Sequence, residues 1–480
     1  MAACRGSKIW AVVILASAAV AHITPAEAHG AERGFVLLLP TGYYLFGGAA
    51  AVAASFLLLC FVPPRIVDRL ARARWPLGTM PAISPAPTSL AAFLLLCLLI
   101  AAGLFGSRDP LANPLPLMIW TVWWVAITLL HAVFGNLWAL INPWIGAYTL
   151  LDRLAGGRLS RSRMLAYPAW LGYWPAILLF LGFAWLELVY PAPDDPERLA
   201  VAVAVYWLAA FAGMLLFGCK AWTERAEPFS IFFRLIAGLS PLVIGPALEG
   251  GRRSLALAVP GAALLERKPL PISGVLFVLL TLSAVTFDGL SKTFWWLALG
   301  DINPLEFPGR TAVMGRNTGG VLAAFALLAA VYVAAVRLGW MMAGKAGPLK
   351  AALGSFVYAI IPISIAFHFS HYLTALLVDG QYAVLAAGDP FGTGLDLFGL
   401  AQAQVTTSFL NTHDGVRTIW NFQTAGIVAG HVAAVALAHA LALRQFGDTR
   451  RAVLSQVPLA LLMVLYTLFG LWLLSTPVAL

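Results

Sequence analysis

The densest concentration of chemistry-bearing side chains in this 480-residue sequence is the run Phe367-His368-Phe369-Ser370-His371-Tyr372. On a helix, a three-residue spacing puts His368 and His371 on neighbouring positions of one face. Asp379-Gly380-Gln381 follows about two turns later. Two imidazoles with a carboxylate in reach are a donor set that zinc or a similar divalent ion takes. The alternative is that both histidines only hydrogen-bond neighbouring helices. A second set, Asn421, Gln423, His431 and His439, recurs further on. Its eight-residue steps from Gln423 to His431 to His439 drift by about 80° each, so the three share one broad face. His131, with Asn136 after it, is a further candidate, although a single intramembrane histidine is more often a packed one. Among the acids, Asp288 in Phe287-Asp288-Gly289 precedes Ser291-Lys292; it would serve as base or ligand, or simply pair with Lys292. Asp379 is a second candidate base. Asp389 and Asp396 stand among the glycines of 388–399, where they would supply ligands or merely cap turns. His413 and Gln381 complete the polar candidates.

These residues must be positioned by elements that live in lipid. The chain is 61% hydrophobic and 11% charged, with mean hydropathy +0.86, more apolar surface than a soluble domain of this length can bury. Apolar runs of membrane-crossing length predict about ten spans, at 41–62, 88–106, 114–136, 168–190, 198–219, 270–288, 317–337, 353–378, 419–443 and 455–475. The expectation is therefore all-α: a polytopic transmembrane helical bundle. The intervening segments 63–87, 137–167, 220–269, 338–352 and 444–454 are all basic, as cytoplasmic loops are, so the net charge of +9 reports orientation rather than nucleic-acid binding. Segment 134–144 reads as a half-apolar continuation of the third span, and 229–248 as an interfacial or re-entrant helix interrupted by Gly238 and Pro241. Pro362 should kink its span. No internal repeat is evident.

Residues 1–28 have the pattern of a cleaved secretory signal: Arg5 and Lys8, an apolar stretch, then Ala26-Glu27-Ala28. The mature chain, 29–480, would be a single transmembrane domain in a bacterial inner membrane. Both its ends would be periplasmic, as would the loops 287–316 and 379–418. Cleavage there would expose His29, whose amine and imidazole together chelate copper, nickel or zinc. Cys4, Cys60, Cys97 and Cys219 lack the spacing of a redox or zinc motif. There is no nucleophile elbow, phosphate-cradling loop, His-Glu-x-x-His or dinucleotide fingerprint.

The stretches 367–372, Asp379-Gly380-Gln381, 389–399, Ile419-Trp420-Asn421-Phe422-Gln423 and Gly430-His431, with His29-Gly30 and Phe287-Asp288-Gly289, resemble a family of bacterial integral-membrane proteins described as fenitrothion hydrolases. The resemblance implies a membrane-bound hydrolase of organophosphorus triesters. In an enzyme reading, a divalent metal (zinc or copper) held by His368, His371, His431 and Asp288 would polarise the phosphoryl oxygen, with Asp379 as base. A transport reading takes the same residues as a path, with His29 capturing a transition metal outside and His371, His368, His431, His439 and His131 passing it inward. Haem ligation by paired histidines is a third reading without a distinguishing feature. The partners expected are a small apolar organophosphate or a metal ion, and the bilayer itself.

Overall fold

The structure, a computed structural model, describes residues 41–161, 164–303 and 309–476; the signal segment and His29 lie outside them. Ten helices are long and apolar enough to cross a membrane, as expected: α1 Thr41–Leu59, α2 Pro85–Phe105, α3 Pro114–Phe134, α4 Ala169–Leu188, α5 Pro196–Phe217, α6 Ile272–Ser291, α7 Arg310–Met342, α8 Leu349–Gly388, α9 His413–Phe446 and α10 Thr449–Ser475. Spanning elements must satisfy their own backbone groups, which a helix does. Their ends are capped by local sequence. Asn113, Asp195, Thr412 and Asp448 accept hydrogen bonds from the first turns that follow them.

Burial sorts the helices. Within the apolar windows, 89% of α8 and 83% of α6 is buried, against 11–39% for most others. These two form the centre, and α8 packs on α3, α6 and α9. The close approach of α8 to α9 depends on Gly430, where a Cβ would stand 2.2 Å from the Ala366 Cβ. Ser370 and Gln423 then exchange hydrogen bonds of 2.7 and 2.8 Å across the seam. At Pro362 the expected irregularity is a 3₁₀ stretch, Val357–Ile360, that hands over to α-helix.

Three local expectations need correction. Segment 229–248 is not one helix: a short helix, Pro228–Ile236, ends in a 3₁₀ turn, and the chain then enters a strand. Leu242-Val243-Ile244 is β-favouring sequence, and it joins a three-stranded antiparallel sheet of β1 Arg74–Pro81, β2 Leu242–Ala247 and β3 Arg252–Ala258, ordered β1-β3-β2. Thr79 pairs with Ser254, which ties the first basic segment to the third. Four helices separate them, an even number, so they meet on one side. Segment 134–144 does not prolong α3. Gly135 takes φ 87°, a conformation that favours glycine, and the chain turns through Trp138–Ile141 into a helix over Pro143–Leu154. Finally, α6, α7, α8 and α9 outrun their apolar stretches, so the connections expected at 287–316 and 379–418 shrink to 292–309 and 389–412.

Candidate functional site

The last turn of α6 carries Asp288 and, one turn on, Lys292, an (i, i+4) pair whose Nζ lies 2.9 Å from Asp288 Oδ1. The other carboxylate oxygen, Oδ2, faces His371 Nε2 of α8 at 2.6 Å. It also faces the Tyr372 hydroxyl at 3.0 Å, and that hydroxyl reaches Glu187 Oε1 of α4 at 2.7 Å. Arg310, the first residue of α7, donates to the carbonyls of Glu187 (2.7 Å) and Tyr190 (3.4 Å). The end of α4, the end of α6, the start of α7 and the middle of α8 thus converge on one polar cluster. It lies at the bundle end opposite the basic segments.

A buried charge costs several kcal/mol unless it is paired and hydrogen-bonded. Asp288 is buried, and donors on both its oxygens meet that requirement. Its negative charge, more than any other influence, raises the Lys292 ammonium above the usual lysine range, against the opposing effect of burial. In the connection after α4, burial pushes the Asp194 carboxyl up, with Arg310 and Lys292 pulling it back. The His371 side chain is 25% exposed, so its ring is both anchored and reachable. With Nε2 on Asp288, Nδ1 remains. It faces Gly289, where a Cβ would stand 3.8 Å away.

The other expected residues go elsewhere. His368 is fully committed to α3: its Nε2 lies 2.8 Å from the Trp124 carbonyl, within the π-helical stretch Met118–Ile127. His431 turns Nδ1 to the Ile427 carbonyl at 2.8 Å, its Nε2 is buried without a partner among the described residues, and the Phe367 ring lies beside it. His131 bonds the Ile127 carbonyl through Nδ1 and accepts the Trp138 N–H at Nε2, pinning the turn after α3. His439 Nδ1 meets Gln456 at 3.3 Å. Asn421 accepts from Tyr44, and Asn136 from the Ala139 N–H. Gln381 clasps Thr406 through both ends of its amide. Asp389 accepts from the Thr393 and Gly394 N–H groups; the Thr393 bond above all holds its carboxyl below the usual range. Asp396 accepts from the Leu400 N–H at 2.6 Å. Both aspartates cap turns. His413 lies at the exposed start of α9 beside Asp414. The Asp379 carboxyl makes no hydrogen bond or ion pair among the described residues and touches none of the Asp288 partners.

The expected centre of His368, His371 and His431 therefore does not assemble, and no group of three His, Cys, Asp or Glu side chains is placed to hold a metal ion among the described residues. The physical reason is that the ring nitrogens of His368 and His371 are directed to different helices. Sequence reading passed over Glu187 and Tyr372. Glu187 had a signal, since it is the one acidic or basic residue in the run 168–190, and an acid in an apolar span is a functional candidate. No family model, curated protein or solved structure matches the chain.

Proposed function

We propose that the protein is a membrane-embedded hydrolase of uncharged organophosphorus triesters, with His371 as general base and Asp288 as its positioning partner. The observation that carries this reading is the 2.6 Å contact between His371 Nε2 and Asp288 Oδ2. A carboxylate on one imidazole nitrogen fixes the tautomer, leaves the lone pair on the other, and stabilises the imidazolium that forms. In the reaction, Nδ1 takes a proton from water as the water oxygen bonds to phosphorus. The bond from phosphorus to the aryl oxygen breaks, and the leaving group keeps the electron pair. The same proton then passes from Nδ1 to the leaving oxygen, giving a diester and a phenol. The route runs through the dyad because His371 Nε2 and Asp288 Oδ2 are in direct contact. The triester class comes from the family resemblance, and an uncharged aromatic ester partitions into the bilayer, from which a site among helix ends is approachable.

The bacterial inner membrane, with the cluster and both chain ends on the periplasmic side, belongs to this reading; the five basic segments at the other end support it. The test is turnover of a chromogenic aryl triester by purified protein in liposomes. His371→Ala and Asp288→Asn, inserted as well as the parent, should each lose ~10²–10⁴-fold, the usual worth of a general base. A parent protein that releases no phenol, or variants that keep its rate, would refute the assignment.

A further inference from the structure

Glu187, Tyr372 and Asp288 form an unbroken line of oxygen contacts, 2.7 Å from Glu187 Oε1 to the hydroxyl and 3.0 Å from the hydroxyl to Asp288 Oδ2. Each contact is a hydrogen bond and needs a hydrogen between its oxygens. A phenol has only one to give. Two contacts therefore need a second proton, and it must sit on a carboxyl group. At rest Asp288 is the poorer site for it: Oδ1 accepts from the Lys292 ammonium at 2.9 Å and Oδ2 from His371 at 2.6 Å, the pattern of an anion with donors on both oxygens. On Glu187 Oε1 the hydrogen bond is the one to Tyr372. The charged and titratable groups facing this line are Asp288 and Lys292 from α6, His368, His371 and Tyr372 from α8, Arg310 from α7 through backbone carbonyls, and Asp194 in the connection after α4.

We infer that Glu187 is a protonated carboxylic acid at rest and that Glu187, Tyr372 and Asp288 form a proton store in series with His371. The bonds then run in one direction, Glu187 O–H to the Tyr372 oxygen and Tyr372 O–H to Asp288 Oδ2. A concerted shift breaks the O–H bond of Glu187, replaces that of Tyr372 and forms one on Asp288. It moves the negative charge from Asp288 to Glu187 while no ion leaves the site. The charge rests on Asp288, where it also meets His371 as an imidazolium, and the shift gives it a second place on Glu187. This deepens the general-base reading and rests on it for its catalytic use. Glu187 is here a positioning residue that acts through Asp288.

The experiment is infrared spectroscopy of the full-length protein in liposomes at neutral pH, without substrate. The expected result is a protonated-carboxyl C=O band that shifts in D₂O, shifts again when glutamate carboxyls carry ¹³C, and is lost in Glu187→Gln. In Tyr372→Phe the band should move to higher frequency as the acid loses its acceptor. That variant and the label keep the test decisive if Glu187→Gln does not insert. The inference is overturned if the band is missing, if it persists in Glu187→Gln, or if it ignores both the label and Tyr372→Phe. Triester turnover without the band removes the store alone; the band without turnover removes the hydrolase alone.

Discussion

Glu227 and the Glu187–Asp288 pair lie at opposite ends of the bundle. Glu227 and Asp288 are both buried carboxylates bonded to a tyrosine hydroxyl, Tyr206 in the first case and Tyr372 in the second. Their other partners differ in kind. Glu227 accepts the N–H groups of Phe229 (3.0 Å) and Ser230 (2.6 Å), capping the helix that follows. Burial pushes its carboxyl up, and its Ser230 and Tyr206 bonds hold that rise back. Peptide N–H groups cannot give up their protons, so Glu227 is fixed for as long as its helix exists. Asp288 is surrounded instead by an imidazole, an ammonium and a phenol, each able to exchange a proton. Equal burial thus serves architecture at one end and chemistry at the other; the partners' acidity makes the difference.

The most direct way to break this contrast is to remove each acid and see what is lost. Glu227→Ala should lower stability through the missing cap, ~0.5–2 kcal/mol, and through N–H and hydroxyl groups left unpaired, ~1–3 kcal/mol. Thermal unfolding in detergent should show the drop, while turnover per folded molecule stays at the parent value. Asp288→Asn should do the reverse. If Glu227→Ala unfolds like the parent, or loses turnover without losing stability, the two ends are not different in kind.

How much of this was legible in the sequence follows the range of each interaction. Ten spans could be read because crossing a bilayer needs only a local apolar run. His371 and Asp288 were visible as residue types, but their pairing joins α8 to α6 across 83 positions, and no local period reports that. The His368 and His371 pair misled for a geometric reason: three residues turn a helix by about 300°, close enough to share a face yet far enough to point one ring at α3 and the other at α6. The sheet was hidden because β1 and β3 lie 171 or more residues apart in register, as with Pro81 and Arg252, while Gly245 and Pro246 interrupt the apolar pattern of β2.

A smaller effect sharpens the contrast through pH. Asp288 raises the Lys292 ammonium above its ordinary value. A raised lysine stabilises the folded protein fully below its unfolded pKa of ~10.4, and that contribution disappears as pH rises through the folded value. The parent should therefore lose thermal stability above about pH 10.4, and Lys292→Met should lose less of it over the same window. The Lys292 side chain is 47% exposed, so solvent screening keeps the difference modest. Identical alkaline profiles in parent and variant would mean that the Lys292–Asp288 pair does not contribute to folding.

The smallest change touches the chemical end alone. Gly289 lies beside His371, and an alanine methyl there would stand 3.8 Å from Nδ1 and 3.7 Å from Leu473 Cδ1. Both are ordinary contacts, so Gly289→Ala should fold normally, and its helix should gain up to ~1 kcal/mol from alanine's better propensity. A water that gives its proton to Nδ1 must come within ~3 Å of that nitrogen, and a methyl group on that side would occupy part of its approach. Turnover should fall by about tenfold or less, ~1.4 kcal/mol in the barrier, while the melting temperature holds or rises. Such a loss of rate without loss of stability has the opposite sign to the Glu227→Ala result. Unchanged turnover in Gly289→Ala would place the attacking water on another side of the ring, and the role of Nδ1 would then rest on His371→Ala and Asp288→Asn alone.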